Sequence, residues 1–568
     1  MRSVSVVDLR GVRTLAAAVA ASPGVLRRGR IWAVAIWIVL IGGTLLARPP
    51  MAIDELSVLA ATWSMWLHGS LVPQLNGQPW ADQPPLLFWL IEMGWRVFGV
   101  SEIWARLVAP LFGLGAVLLI GPVARLLWPG RKESPALASV ILVGAGGFAA
   151  YAGLAMPDLL LLFFCVLGLY GVVLARQRRD VAGWTLFGIA LGSAFLARGS
   201  MAVLCLLPVP LAAPLWAGRL PVSAWMRWYG GLLVALVLGL FIGLTWLWPA
   251  VASGGPDLVR KIAFGSSDLG ETMLSSTWFA PILPFFLYPW IWWRTLWRAL
   301  SRQRRRFRET GLRFCLATAA AALAAAILLG DGQPQALLPL LPGFSLVAGR
   351  LIAAHGSKAR DFHAVVPALL VLLVGVVFFL LNIVPVAHLD AIWRQFLSET
   401  SLPIWFGGSS LYSGLILLGG SFLLAQMSPR QLLSRTVQLA LLPALLATAL
   451  SLEFRIALRY YFDLTPIAQE IHDLQESDLP VGMLGDYRGE FDFSGRLEKP
   501  LVVLADAAAA SRWAADNPSG VVVAYFEGSL LRLPARPLYL GPAGDRWAAL
   551  WPAQAIETTA GAVLQPRF

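Results

Sequence analysis

Stretches of about twenty mostly apolar residues recur along this chain between residues 31 and 452, and no other feature restricts its fold so tightly. A hydrocarbon core about 30 Å thick is crossed by roughly 20 apolar residues in a helix, so this rhythm predicts a polytopic α-helical membrane protein. Of 568 residues, 58% are hydrophobic and 13% charged, and the mean hydropathy is +0.70. A water-soluble globule of that composition could not cover its core.

Spans are expected near 31–47, 107–128, 137–156, 159–175, 181–197, 201–216, 230–251, 279–297, 312–329, 336–352, 365–385, 411–426 and 437–452. That makes about thirteen transmembrane helices, with boundaries blurred by internal Pro and Gly. The formal charge of +12 is spread in short clusters between the spans, not along one stripe, which argues against a nucleic-acid partner. Read as topology signals, Arg27, Arg28 and Arg30, then Arg131 with Lys132, Arg178 with Arg179, and Arg304 to Arg306 fall on the cytoplasmic side. The alternate loops hold little beyond Arg96, Arg260, Lys261 and Arg394. Residues 1–30 then form a cytoplasmic arm leading into an uncleaved first helix, and an odd number of spans leaves the C-terminal segment outside. Cys165, Cys205 and Cys315 sit in apolar stretches and offer neither a disulfide framework nor a zinc spacing.

From about residue 454 the composition changes. Runs at 500–505 (PLVVLA) and 520–526 (GVVVAYF) read as strands with a helix-like 507–517 between them, so 454–568 is expected to be a small extracytoplasmic α/β domain after a membrane domain of 31–453.

The loop at 49–106 is the longest on the outer side. Two amphipathic stretches, 55–68 and 86–98, carry Trp63, Trp66, Trp89 and Trp95 and suit the headgroup region, where a lipid phosphate would sit. Asp54 and Glu55 follow the first span at the membrane boundary, where a carboxylate without a role or partner is costly. Asp54 could equally cap the helix that follows it, and Asp82-Gln83-Pro84-Pro85 could be a turn that caps the next one. Asp158, ahead of an apolar LLLLFF run, is a third candidate at the same end of the spans. Arg198 could balance that charge or bind a phosphate, or simply snorkel to the interface.

These residues form a pattern: Asp54-Glu55, His68-Gly69-Ser70-Leu71-Val72-Pro73, Leu75-Asn76-Gly77-Gln78-Pro79-Trp80, Asp82-Gln83-Pro84-Pro85-Leu86, and Phe98-Gly99 ahead of Arg106. It resembles the membrane glycosyltransferases that include the lipid A aminoarabinose transferase and the protein O-mannosyltransferases. Weaker echoes follow at Met156-Pro157-Asp158, Ala197-Arg198-Gly199, Tyr288-Pro289-Trp290, Gln333-Pro334 and Tyr487-Arg488-Gly489-Glu490-Phe491. The resemblance implies a C-type glycosyltransferase fold in the bacterial inner membrane. It also implies a sugar donor carried on a polyprenyl phosphate and an envelope glycolipid or glycan acceptor, such as a lipopolysaccharide component, met at the extracytoplasmic face. Asp54 is then the base or acceptor-orienting group and Asp158 a second catalytic carboxylate, with Glu55 and Asp82 in the substrate site. A divalent metal ion is a candidate cofactor and Asp82 a candidate ligand.

The chain departs from that pattern where the family commonly holds cations. Gln83 stands in place of a lysine, and Gly330-Asp331-Gly332-Gln333-Pro334-Gln335-Ala336 replaces a segment with Lys, His and Tyr. Positive charge toward the phosphate is left to Arg198, Arg260 and Lys261, and hydrogen bonds to the amides of Gln83, Gln333 and Gln335. Two functions compete. One is an inverting sugar transfer; the other is an inactive, lipid-binding or scaffolding relative. A transporter fits less well, because no internal repeat appears and the carboxylates gather at one face.

Overall fold

Apolar stretches with nowhere to place backbone N–H and C=O groups except on themselves become helices, and helices dominate here. In the computed structural model the described residues are 23–48, 53–80, 83–177, 179–218, 221–264, 277, 279–303, 308–330, 332–355, 364–384, 388, 391, 411–427, 429, 431–526, 536–544 and 546–559.

Helix α1 (Pro23–Ala47) leads into the first loop, which holds α2 (Ile53–His68), a two-stranded hairpin of β1 (Gln74–Leu75) with β2 (Gln78–Pro79), and α3 (Leu86–Phe98). Both amphipathic helices expected in this loop are therefore present. The hairpin turns on Asn76-Gly77, both with positive φ, the pairing that a tight hairpin turn favours. Then come α4 (Glu102–Leu127), α5 (Ser134–Val143), α6 (Gly146–Tyr151), α7 (Asp158–Arg176) and α8 (Asp180–Arg198). Among the described residues, six helices are long and apolar enough to cross a membrane. These are α4, α7, α8, Val222–Gly255, Thr310–Leu329 and Leu432–Glu453.

Three expected spans are broken. The stretch at 137–156 divides into α5 and α6 at Gly144-Ala145-Gly146-Gly147, where glycine weakens the helix and the Gly146 N–H instead donates to the Tyr288 carbonyl at 2.6 Å. Pro208, Pro210 and Pro214 split 201–216 into α9 (Ser200–Leu206), α10 (Pro208–Leu211) and α11 (Ala213–Trp216). The stretch at 279–297 ends early as α13 (Phe279–Phe286), after the long α12 (Val222–Phe264), and resumes as the basic α14 (Arg294–Arg302). Pro284 lies in the last turn of α13 and Pro289 in the interruption itself. The rest of the bundle is α15 (Thr310–Leu329), a 3-10 turn at Pro334–Leu337, α16 (Leu340–His355), α17 (Val365–Ile383), α18 (Leu411–Gln426) and α19 (Leu432–Glu453).

Burial separates the centre of the bundle from its rim. Five-sixths of the spanning window of α7 is enclosed, whereas α12 exposes Leu233, Val237, Leu240, Phe241, Leu244 and Trp248 along one flank. An apolar flank of that length is suited to lipid.

After α20 (Arg455–Phe462) and α21 (Thr465–Glu476) the chain forms a five-stranded sheet in the order β4-β3-β5-β7-β6, with α22 (Ala507–Asp516) and α23 (Ala553–Thr559). Its strands are β3 (Val481–Leu484), β4 (Val502–Leu504), β5 (Val521–Phe526), β6 (Tyr539–Ala543) and β7 (Arg546–Pro552); β3 runs parallel to β4 and β5, and the remaining pairs are antiparallel. Side chains alternate across β5. Val521 and Val523 pack with Ile467 and Ile471 of α21, while Val522 and Ala524 pack with Ala510, Ala514 and Ile556. Both faces are covered, which is why the strand reads as an unbroken apolar run. Leu56 of α2 joins the first of these two clusters, so the first loop and the C-terminal sheet share a core.

Candidate active site

Helices α7 and α8 are each 19 residues long and joined by a short connection, so the first residue of one and the last of the other fall level. Gly171 and Gly183 let them approach closely: a Cβ on Gly171 would lie 2.7 Å from the Gly183 carbonyl oxygen. Asp158 and Arg198 are those two end residues, and the Arg198 Nε donates to Asp158 Oδ1 at 3.0 Å. Each charge also suits its helix end, an acid at the N-terminus and a base at the C-terminus. Asp158 is 1% exposed, and its Oδ2 has no hydrogen-bond partner among the described residues. An enclosed carboxylate satisfied on one oxygen only is costly, so a donor group on a ligand is the natural complement to the other.

Glu55 is held differently. It is fully buried and accepts from Arg48 Nη1 at 2.7 Å and from the Ala155 N–H at 3.3 Å, with Arg106 Nε at 3.4 Å. Arg48 also donates to the Gly153 carbonyl at 2.8 Å, and Arg106 to the Arg48 carbonyl at 3.1 Å and to Glu102 at 3.0 Å. This nest ties the end of α1, the start of α2 and the start of α4 to the turn that delivers Asp158. Asp54 occupies the position before Glu55 in α2. The Asp54 side chain and all of Asp82 lie outside the described residues.

Gln83 is buried at the foot of α3, with its Oε1 unpartnered among the described residues. Close by, Val72, Leu86 and Trp89 of the first loop pack with Phe195 and Leu196 of α8 and with Trp246, Ala250 and Leu258 of α12. Members of that cluster stand two or three residues along the chain from Gln83 (Leu86), from Arg198 (Leu196) and from the exposed pair Arg260 and Lys261 (Leu258). Arg260 and Lys261 follow a sharp kink at Gly255. Gln333 and Gln335 flank the start of the 3-10 turn, which packs against α6. The Gln335 Nε2 donates to Gln333 Oε1 at 2.8 Å, so these amides bond to each other. No group of three or more His, Cys, Asp or Glu gathers among the described residues.

The C-terminal segment grips the first loop. Asn76 at the hairpin tip donates to the Leu501 carbonyl at 2.8 Å and accepts the Leu501 N–H at 2.7 Å. Ser57 donates to the Arg488 carbonyl at 3.0 Å, and Trp63 to the Leu497 carbonyl at 2.8 Å. The Arg496 guanidinium lies 4.0 Å from the Phe493 ring centre and 5.0 Å from that of Trp63, while Phe493 stacks on Trp95. Behind this contact the Tyr487 hydroxyl donates to Asp492, whose carboxyl is pushed up to about 6 by burial. Burial raises Glu490 as well. The motif at 487–497 is thus a docking surface for the motif in the first loop.

Chemically, the Asp158 end offers a carboxylate next to a guanidinium, able to orient a hydroxyl and to face a developing phosphate charge. Arg48 and the wiring of Arg106 are residues that sequence reasoning missed. Arg106 was legible as the end of a motif, but its partners come from three separate segments.

The architecture is that of the C-type membrane glycosyltransferases. Crystal structures of ArnT from Cupriavidus metallidurans, in the apo state and bound to undecaprenyl phosphate, superpose with TM-scores of 0.71 and 0.70 at 18% and 16% identity. Each match covers 93% of this chain and 98% of that one. Residues 82–246 match the family described as dolichyl-phosphate-mannose-protein mannosyltransferase, so the resemblance read from the first loop stands. Among curated relatives, an undecaprenyl phosphate-alpha-4-amino-4-deoxy-L-arabinose arabinosyl transferase of Pseudomonas paraeruginosa is 31% identical over 34% of this chain. A second transferase of that name, from Pseudomonas fluorescens, is 28% identical over 57% of it. The alignments span 35% and 59% of those relatives' own lengths. The chain is a multi-pass membrane protein of this fold.

Proposed function

We propose that the protein moves a sugar from a polyprenyl-phosphate-linked donor to a hydroxyl of a cell-envelope acceptor, a lipid, polysaccharide or lipopolysaccharide component. The single observation that carries this reading is Asp158: enclosed, paired to Arg198 on one oxygen, unpartnered among the described residues on the other, and delivered by a turn that Glu55 fastens to the helix bearing Asp54. Asp54 takes the acceptor proton as the acceptor oxygen bonds to the anomeric carbon. The bond from that carbon to the phosphate oxygen breaks on the opposite face, so configuration inverts. Arg198, Arg260 and Lys261 receive the charge gathering on the leaving phosphate, with Gln83, Gln333, Gln335 and Asp82 completing the pocket and a divalent ion as a candidate aid. The reading places the protein in the bacterial inner membrane, the arm of residues 1–30 in the cytoplasm and the segment 454–568 outside. The relatives' names point to an undecaprenyl-phosphate aminoarabinose donor and hence to that sugar class.

One observation favours an inactive relative: the Gln333 and Gln335 amides satisfy each other where the family pattern holds cations. Mass spectrometry of envelope lipids from a deletion strain, complemented with the wild type, Asp54→Asn or Asp158→Asn, separates the two. The transferase reading expects a sugar-bearing product restored by the wild type alone; an envelope identical in all four strains would sink it.

A further inference from the structure

Beside the Glu55 nest, and sharing Arg48 and Arg106 with it, lies a cavity of about 580 Å³ between α1, α4 and α20. Arg48, Arg106 and Arg459 stand on its wall against two carboxylates, Glu102 and Asp463. Arg106 is 4% exposed, and although Nη1 and Nε meet Glu102 and Glu55, its Nη2 has no hydrogen-bond partner among the described residues. A guanidinium buried with an idle donor is unfavourable unless an acceptor reaches it, and the acceptor best matched to that planar fork is a phosphate or carboxylate. Arg459 pairs with no carboxylate among the described residues and stands on α20, a helix that exposes Ile456 and Tyr460 beside its two arginines. Such a face suits a headgroup layer.

The remaining wall is apolar. Ile41, Leu45, Leu56 and Ile103 line the charged cavity. Arg48 also lines a second cavity of about 330 Å³, formed largely by Ala149, Leu154, Leu370, Leu446 and Ala447. A polar chamber in which three guanidinium groups line the wall, sharing one arginine with an apolar chamber, matches a molecule with a phosphate at one end and a hydrocarbon chain at the other.

We infer that this paired cavity is a lipid-binding site, in which Arg106, Arg459 and Arg48 hold the phosphate headgroup of a membrane lipid while its chain runs into the apolar chamber, against Gly153 and Leu154 of the turn that leads to Asp158. Occupancy would complete the Glu55 nest and so steady the turn that carries Asp158. The inference concerns binding alone and stands whether or not the chain transfers sugar.

Native mass spectrometry of the full-length protein in detergent tests it, titrating phosphatidic acid and phosphatidylcholine with the same acyl chains. Phosphatidic acid should bind roughly tenfold more tightly, and Arg459→Gln should remove most of that preference while Arg459→Lys retains it. Arg459 is the informative position because Arg106→Gln also strips a partner from Glu55 and could unfold the nest. Equal affinity for the two lipids, or a preference unchanged in Arg459→Gln, would overturn the site. Displacement of phosphatidic acid by inorganic phosphate at equal concentration would overturn the lipid assignment in favour of a free-anion site.

Discussion

Two acidic residues at the same end of the bundle, Glu55 and Asp158, are equally buried and oppositely provided for. Glu55 has two guanidinium groups and a backbone N–H around it, so each oxygen is occupied and the residue is part of the framework. Asp158 has one guanidinium and an oxygen left over. The lesson is that burial and charge alone do not mark a reactive carboxylate. What sets Asp158 apart is an acceptor oxygen with no hydrogen-bond partner among the described residues, held in place by neighbours that are themselves paired.

The largest effect should come from testing that difference directly. Asp158→Asn is expected to lower sugar transfer in membrane vesicles by roughly 10²–10⁴-fold, because it removes a proton-handling or charge-placing group, and to cost less stability than the Glu55 substitution, because it leaves one partly exposed guanidinium without its counter-charge and not two enclosed ones. Glu55→Gln should do the reverse. It leaves Arg48 and Arg106 facing each other without their common counter-charge and should cost about 3–5 kcal/mol of stability, read as a lower melting temperature, while the rate per folded molecule changes less. A stable but inactive Glu55→Gln, beside an active Asp158→Asn, would invert the comparison.

Two further substitutions ask how far the framework side extends. Asp492 belongs to the docked segment 487–497, and burial pushes its carboxyl up to about 6 from its usual 3.8, so the folded state binds its proton more tightly than the unfolded one does. That contribution is fully present below the unfolded value and is lost as pH rises through 6, up to about 3 kcal/mol. Limited proteolysis of the C-terminal segment should therefore be slower at pH 5 than at pH 8, and Asp492→Asn should flatten the difference. The smallest effect is expected for Asn76→Ala, which deletes both hydrogen bonds to Leu501: about 1–2 kcal/mol, visible as faster cleavage of the first loop with transfer reduced only modestly.

How legible all this is in the sequence follows from the distance over which each feature is decided. Periodicity inside one segment sufficed for α2 and α3, whose aromatic and aliphatic residues repeat at helical spacing, and for β5 and α22 in the C-terminal sheet. The level ends of α7 and α8 are legible too, since 158–176 and 180–198 are equal in length and meet in a short turn. The broken stretches at 137–156, 201–216 and 279–297 are not, because hydropathy averages over the very Gly and Pro residues that interrupt them. Asn76-Gly77 is a hairpin signal in its own right, yet its partner Leu501, 425 residues away, leaves no trace in spacing. The nest around Glu55 is hidden for the same reason: two of its contacts are to backbone groups at 153 and 155, which carry no residue-type signature.

The clasp between Asn76 and Leu501 has a consequence for the order in which the molecule is made. Helices enter the bilayer as they leave the ribosome, but the surface of the first loop is cast against a piece of chain synthesised 425 residues later. A nascent protein stopped short of residue 487 would already be anchored and threaded, and would still have one of its earliest segments waiting for its mould.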